Sequence, residues 1–293
     1  MPLTPMTSLL AGARARAYAV GYFESWNLES LQAVIDAAEE SRSPVIVGFN
    51  GMFLCSPQRL VREQLEVYAA MSLAAARTAT VPVAVIFNEC ANDDAIRDAI
   101  DAGFQTVMPE YDRIDYDEQV GRVRDLVVYA HARDAAVEAQ VGTLAGMGIE
   151  HGVATDPQQA KAFVEATGID LFSAVIGNVH SLRSGTAAVD LALLRQIGEA
   201  VDRPLVIHGG SGFPAAAIPE AIDCGVAKFN IGTALKVAYR DALQQALDSA
   251  GDTVDIHDLF GRGAATDAMT SGRVAVKERV LDFMKLYNCT GTA

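Results

Sequence analysis

Residues 18–47 read YAVGYFESWNLESLQAVIDAAEESRSPVIV, and this stretch contains one full repeat of the strand–helix pattern from which the fold is predicted. It starts with an apolar run, Tyr18–Phe23, that has the composition of a buried strand. Asn27–Glu40 follows, with a polar cap and with apolar residues at helical spacing. A second apolar run, Pro44–Phe49, comes next. This order of strand, helix and strand predicts a βα unit of a parallel sheet.

The same alternation continues along the chain and predicts eight strands. The eight runs are Tyr18–Phe23, Pro44–Phe49, Val81–Phe87, Thr106–Pro109, Ala136–Val141, Leu171–Ile176, Pro204–Ile207 and Ala227–Ile231. Eight βα units that close on themselves form a (β/α)8 TIM barrel. The alternative is an open doubly wound sheet, but the glycine-rich dinucleotide fingerprint typical of that fold does not follow Phe23.

Length and composition favour one large unit. The chain has 293 residues, half of them hydrophobic, and contains no low-complexity linker. We therefore expect residues 1–293 to form a single barrel domain. A further amphipathic pattern over Ala264–Tyr287 predicts an additional C-terminal helix, of the kind that covers a barrel end or forms an oligomer interface.

The net charge of −14 argues against nucleic acid or an anionic membrane as the main partner, because phosphate contacts need clustered Lys and Arg. A small phosphorylated substrate needs only a few backbone N–H groups and one or two cations. The four cysteines are widely spaced and there is no signal-peptide or membrane-spanning pattern. We therefore expect a cytoplasmic protein with reduced thiols.

Polar residues at the carboxyl ends of the predicted strands identify the candidate active site, because barrel active sites form at that end. His180 follows the sixth strand and His208 ends the seventh. Imidazoles on neighbouring strand ends can converge on one metal ion, and a carboxylate such as Glu89 or Glu138 could complete the set. The alternative is that each histidine is only a hydrogen-bonded group near the surface.

Two glycine-containing segments suit a phosphate. In the first, Gly209, Gly210, Ser211 and Gly212 allow backbone amides to turn inward. In the second, residues 230–233 lead into a helix whose N-terminus carries partial positive charge. Loops after the seventh and eighth strands commonly hold phosphate in such barrels, although a glycine cluster alone can be just a tight turn.

Three successive segments resemble landmarks of the class II fructose- and tagatose-bisphosphate aldolases: GNVH ending at His180, LVIHGGSGFP over residues 205–214, and GVAKFNIGT over residues 225–233. The similarity extends over nearly the whole chain. It implies a TIM barrel, a divalent metal that is usually Zn2+, and a homodimer or homotetramer. By this resemblance His180 and His208 bind the metal, and Asn230 contacts the reacting substrate. The residues that it implies for the phosphate are Gly209, Ser211, Asn230, Gly232 and Thr233.

The chain departs from the family at the end of the third strand. The family typically reads leucine-histidine-leucine-aspartate-histidine-glycine, whereas residues 85–90 read VIFNEC. Asn88 therefore stands at the position of the catalytic aspartate and Glu89 at that of a third metal-binding histidine. A carboxylate can still bind Zn2+, but its negative charge lowers the Lewis acidity of the ion and favours Mn2+, Fe2+ or Co2+.

Asn88 cannot titrate, so an acid or base must come from elsewhere. Glu110, after the fourth strand, is one candidate and Glu24, after the first, is another. The segment 142–152 resembles the family's mobile glycine-rich lid, and its Glu150 aligns with a lid glutamate that moves protons at the substrate carbon. Solvated or structurally paired carboxylates, and an ordinary flexible loop, are the alternatives.

These features predict a metal-dependent aldolase that acts on a phosphorylated ketose or a related sugar acid through a metal-stabilised enediolate. Because Asn88 and Glu89 both depart from the family pattern, we expect the substrate to differ from fructose 1,6-bisphosphate. Two alternatives remain at this stage: a sugar-phosphate isomerase or epimerase that uses the same enolising site, and an inactive phosphosugar-binding barrel.

Overall fold

The computed structural model describes residues 2–111, 114–146, 149–182, 185–251 and 254–293. Its strands are β1 (Val20–Ser25), β2 (Val45–Asn50), β3 (Val83–Cys90), β4 (Thr106–Pro109), β5 (Ala136–Val141), β6 (Leu171–Ala174), β7 (Leu205–Ile207) and β8 (Val226–Ile231). They form one closed barrel in chain order, and all neighbours are parallel, including β8 and β1. The predicted (β/α)8 barrel is confirmed, and each strand overlaps one predicted run.

The first helix precedes β1, and the other helices follow strands on the outside of the barrel. The helices are α1 (Met6–Ala15), α2 (Leu28–Ser41), α3 (Gly51–Leu54), α4 (Leu65–Thr78), α5 (Asp93–Asp101), α6 (Tyr116–His131), α7 (Pro157–Thr167), α8 (Leu191–Ala200), α9 (Ile218–Asp223), α10 (Thr233–Ala250), α11 (Ile256–Leu259) and α12 (Ala268–Leu286). Short 3-10 helices cover Gly210–Gly212 and Ala215–Ala217. None of the helices in the described ranges combines the length and the hydropathy needed to traverse a bilayer.

Local sequence explains where α2 begins. The Asn27 side chain accepts a hydrogen bond from the Ser30 backbone N–H at 2.9 Å, and the Ser30 hydroxyl accepts one from the Asn27 N–H at 3.1 Å. This reciprocal cap satisfies two N–H groups that the helix itself leaves unpaired. The polar cap expected at Asn27 is therefore present, one residue before the first helical residue.

The strands are buried on both faces, as expected for a parallel sheet covered by helices. Ala136 is the one strand residue in the described chain that is only partly buried. Aromatic rings fill the space between sheet and helices; the rings of Phe87 and Phe104, for example, lie 5.4 Å apart. Because the interior is filled with side chains, ligands can enter only at the barrel ends.

The amino end of the barrel is covered by the start of the chain. The Thr4 N–H donates to the Val83 carbonyl at 2.8 Å, and the Val83 N–H donates to the Pro2 carbonyl at 2.6 Å. Val83 is the first residue of β3, so this contact lies at the amino end, where α1 packs against β3 and β8. The carboxyl end is the one available for a site.

The predicted C-terminal helix is α12, which packs against α10 and α2. Arg273 of α12 forms an ion pair with Asp36 of α2 at 2.6 Å. Asp267 caps α12 by accepting hydrogen bonds from the N–H groups of Met269 and Thr270 at 2.9 and 3.1 Å. The helix therefore covers the outside of the barrel next to β1.

Candidate active site

A cavity of about 520 Å³ opens at the carboxyl ends of the strands. It brings together ten of the residues predicted from the sequence: Glu24, Asn88, Glu89, His180, His208, Gly209, Ser211, Asn230, Gly232 and Thr233. Gly210, Glu110 and Glu150 are not among the described residues that line it. The Glu150 side chain is 90% exposed, within 3.8 Å of His151.

Glu89 is turned into the cavity by an irregularity in β3. The pairing of β3 with β4 shifts register between Phe87 and Cys90, and Glu89 has a φ of +53°. This left-handed conformation is uncommon for a residue with a side chain and is often found at functional sites. The bulge thus places Asn88 and Glu89 together at the cavity wall.

Glu89 lies at the centre of a buried cluster. Its Oε1 is 2.6 Å from His208 Nδ1 and 3.3 Å from His180 Nε2, and its Oε2 accepts a hydrogen bond from Asn50 Nδ2 at 2.5 Å. Glu89, His180 and His208 each offer one ligand atom, and these atoms lie within 4.8 Å of one another. The three side chains therefore meet as the sequence predicted, in a set of two imidazoles and one carboxylate that suits a divalent metal.

Glu138, the other carboxylate considered for this cluster, lies deeper in the barrel. Its Oε1 is 2.8 Å from His208 Nε2, and its Oε2 accepts a hydrogen bond from Lys228 Nζ at 2.7 Å. Glu138 thus holds one ring nitrogen of His208 and leaves Nδ1 facing Glu89. Metal-binding histidines commonly have such a carboxylate on the far nitrogen. The donor set and its support therefore fit a metal ion.

The charges in this cluster are strongly coupled. Burial opposes ionisation of Glu89, but the charge and hydrogen bonds of His180 and then His208 outweigh it and hold the pKa of Glu89 well below its usual range. Burial likewise disfavours the charged form of His208, yet the hydrogen bonds that its ring donates to Glu138 and Glu89 raise its pKa. The cluster therefore favours positive charge between the carboxylates, the place where a cation would bind.

The segments predicted to hold phosphate lie side by side at one edge of the cavity. Gly209 has a φ of +67°, and a Cβ there would come within 2.3 Å of the Val179 carbonyl oxygen, so only glycine fits. The Ser211 hydroxyl accepts a hydrogen bond from the Ala234 N–H at 3.1 Å, which ties the segment to the first turn of α10. Two cations of α10, Lys236 and Arg240, face the same space. This edge can attract an anionic group.

The predicted lid over 142–152 is attached to the cluster. The His180 N–H donates to the Ala145 carbonyl at 2.9 Å, and a Cβ at Gly146 would lie 2.3 Å from the His180 carbonyl oxygen. Residues 147 and 148 of this segment lie outside the described part of the chain, as do residues 112 and 113 after Glu110. The loop that carries Glu150 therefore begins in contact with a candidate metal ligand.

Sequence reasoning missed three further residues of the site: Tyr22, Lys236 and Lys228. Tyr22 and Lys236 line the cavity, and Lys228 lies behind it. Lys228 could have been found, because a lysine between Ala227 and Phe229 in an apolar strand requires a buried anionic partner. Several buried polar atoms have no hydrogen-bond partner among the described residues, as expected where a polar ligand binds. Those at the cavity are the Tyr22 hydroxyl, Asn88 Oδ1 and Asn230 Oδ1.

Comparison with known proteins yields full-length matches. Residues 4–292 match the family model described as fructose-bisphosphate aldolase class-II. A probable fructose-bisphosphate aldolase of Bacillus subtilis (strain 168) is 32% identical, with all of both chains covered. Among solved structures, the YdjI aldolase of Escherichia coli K12 is 32% identical with a TM-score of 0.82, over 99% of each chain. A putative fructose-1,6-bisphosphate aldolase of Coccidioides immitis is 27% identical with a TM-score of 0.83, over 98% of this chain and 97% of that one.

Proposed function

Because this chain belongs to the class II fructose-bisphosphate aldolase family, whose members are metal-dependent lyases, we propose that Glu89, His180 and His208 are its metal ligands. The observation that carries the proposal is the convergence of their ligand atoms within 4.8 Å of one another at the cavity. Family membership also favours a lyase over an isomerase or an inactive barrel. A bound divalent ion supplies Lewis acidity, which draws electrons from a carbonyl oxygen.

The metal that we propose is Zn2+, in keeping with the nitrogen donors of the two histidines. Glu89 adds a hard oxygen donor with a full negative charge, which makes Mn2+, Fe2+ and Co2+ the competing ions. Glu138 would orient His208 through Nε2, and Asn50 would orient Glu89 through Oε2. These contacts restrict both side chains before any ion binds.

We propose that the substrate is a phosphorylated ketose or a related sugar acid whose anionic end lies against the segments at residues 209–211 and 230–233. Ser211 and Thr233 would hold that end, with the first turn of α10 behind it. Asn230 belongs to this edge and also contacts the metal cluster, since its Nδ2 is 2.8 Å from His208 Nε2. A substrate could therefore contact both at once.

The relatives are named for fructose bisphosphate, but we propose a different sugar for this chain. Asn88 lines the cavity and offers only an amide, so the chain lacks an acid at this position. Proton transfer at the substrate carbon is proposed for Glu150, whose loop contacts the cluster at His180. Glu110 is the other residue that we propose for proton transfer. It is partly buried, and its N–H donates to the carbonyl of Cys90, the residue after Glu89, at 2.9 Å.

We further propose that residues 1–293 act as one domain, and that the protein is a cytoplasmic homodimer or homotetramer. The closure of β8 on β1 and the packing of α12 on α2 tie both ends of the chain to one barrel. The four cysteines are free, which suits a reducing compartment.

The proposal is tested with purified protein that has been stripped of metal by a chelator. We expect no cleavage before metal is restored, and activity after Zn2+, Mn2+, Fe2+ or Co2+ is added. Fructose, tagatose and sedoheptulose bisphosphates are then assayed next to phosphorylated sugar acids. Activity that is unaffected by chelation would contradict the metal site. Robust turnover of fructose 1,6-bisphosphate would contradict the proposed change of substrate.

A further inference from the structure

Two carboxylates line the cavity among the described residues, Glu24 and Glu89. Glu89 is surrounded by His180, His208 and Asn50, which occupy both of its oxygens. Glu24 is the other, and it sits near the end of β1 with its side chain only 11% exposed. Of the two carboxylates, Glu24 is therefore the one that can contact a substrate without being part of the metal cluster.

The carboxylate of Glu24 is held in place by Lys236. Lys236 Nζ donates a hydrogen bond to Glu24 Oε1. The ammonium group also lies 4.3 Å from the centre of the Phe53 ring and 5.8 Å from that of Trp26. Cations over aromatic rings are attracted to them, so these contacts restrict where Lys236 can point. Glu24 therefore has one oxygen bound and one oxygen, Oε2, left for another partner.

Gly232 makes room for Oε2. A Cβ added at Gly232 would lie 2.3 Å from Glu24 Oε2, which no side chain could tolerate without moving the carboxylate. Gly232 therefore leaves the space that the Glu24 carboxylate occupies, and it also belongs to the proposed phosphate edge.

We propose that Glu24 is a catalytic residue that exchanges a proton with the substrate hydroxyl at the carbon–carbon bond that breaks, with Lys236 as its positioning residue. This inference rests on the proposed aldolase function. In cleavage, the hydroxyl O–H bond breaks and its proton passes to Oε2. The carbon that bore the hydroxyl becomes a carbonyl as the C–C bond breaks, and the electron pair stays on the carbon beside the ketone. That carbon later takes a proton from another group, and bond formation reverses every step.

The electrostatics at Glu24 agree with this role. Burial raises the pKa of Glu24 above its usual value, and the charge and hydrogen bond of Lys236 offset only part of that effect. Glu89 of β3 raises the pKa further, whereas His180, after β6, lowers it. On its own strand, Tyr22 also faces Glu24 and is neutral, with a pKa raised well above its usual value chiefly by burial. A carboxylate with a raised pKa is a stronger base than an ordinary one.

The experiment separates the two protons of the reaction. Dihydroxyacetone phosphate in D2O serves as the probe for exchange of the carbon proton, a half-reaction that involves no aldehyde. Condensation of the same compound is measured with a panel of phosphorylated and carboxylated aldehydes. In E24Q we expect exchange within about threefold of wild type and condensation slower by about a hundred- to ten-thousand-fold, the usual worth of a general acid or base. In E150Q we expect both exchange and condensation to be lost, because condensation begins with removal of the carbon proton.

The matched control is E40Q, which breaks the surface pair of Glu40 with Lys277 and leaves both reactions unchanged. E24D, which shortens the side chain by one methylene, keeps the carboxylate and should recover part of the condensation rate. In K236Q the high-pH limb of the condensation rate should shift to higher pH, because Glu24 must be protonated to donate in condensation and the ammonium no longer lowers its pKa. Metal content and thermal unfolding are measured for every variant.

Condensation by E24Q within threefold of wild type would overturn the inference. Loss of both exchange and condensation in E24Q and in E24D would also overturn it, and so would loss of bound metal in both variants. In either case Glu24 would affect the reaction through the metal cluster or the fold. Failure of the wild-type protein to exchange the carbon proton with any of the four metals is a separate result, which would overturn the proposed function itself.

Discussion

Two pairs of glutamate and lysine in this barrel differ in what surrounds them. Glu138 and Lys228 are fully buried behind the metal cluster, with Nζ and Oε2 2.7 Å apart. Glu24 and Lys236 lie at the cavity wall, where the Lys236 side chain is 36% exposed. The residue types are the same, but one pair is sealed between strands and the other faces the space where a substrate would bind.

The number of cationic donors separates the two glutamates. Burial opposes ionisation of both, but Glu138 has Lys228 and His208 as partners, and together they bring its pKa below the usual value. Glu24 has Lys236 alone, and its pKa stays above the usual value. A second donor thus converts a buried carboxylate into a fixed anion that supports His208, whereas a single donor leaves a carboxylate that can still take a proton.

The largest expected effect concerns the sealed pair. In K228M the Glu138 charge loses its lysine inside the barrel, and we expect the free energy of unfolding to fall by about 3–5 kcal/mol. Denaturant unfolding measures this loss. The matched control is K277M, which breaks a pair on the outer helices and should cost about 0–1 kcal/mol. A loss below 1 kcal/mol in K228M would show that the two pairs do not differ as described.

A smaller effect is expected for G232A, which fills the space beside the Glu24 carboxylate and leaves the carboxylate itself unchanged. The new Cβ would displace the Glu24 carboxylate, and a displacement of about 1 Å near reacting atoms can cost on the order of a hundredfold in rate. Condensation rate is the readout, with G121A as the control. Gly121 lies in α6 with nothing within 4 Å of its added Cβ, so that variant should keep full activity. Full activity in G232A would contradict the close fit between these residues.

The smallest effect is expected for the stability of K236M. Because Lys236 is partly exposed and its removal leaves Glu24 near the cavity, we expect the free energy of unfolding to change by no more than about 1 kcal/mol. The denaturant experiment on K228M provides the direct comparison. A loss of 3 kcal/mol or more in K236M would show that the Glu24–Lys236 pair stabilises the fold as much as the Glu138–Lys228 pair does.

Much of the fold followed from local patterns. The eight apolar runs overlap the eight strands because burial on both faces of a parallel sheet leaves a continuous apolar signal. The predicted meeting of Glu89, His180 and His208 occurs because all three lie at or beyond the carboxyl ends of strands that end on the same side of one barrel. Glu110 and Glu150 were also placed after strands, yet neither lines the cavity, since the direction of a loop is not set by the strand before it.

Local patterns in the amino-acid sequence suffice to predict the number and order of the βα units, the end of the barrel that carries the site, and the residue types available there, because hydrophobic periodicity and strand polarity are local properties. Only the folded chain shows which glutamate supports His208, which glutamate has a lysine as its sole cationic donor, and why residue 232 is glycine. Those outcomes depend on distances between side chains of β1, β5, β8 and α10. Such distances are set by the closure of the barrel, which no single segment of the chain encodes.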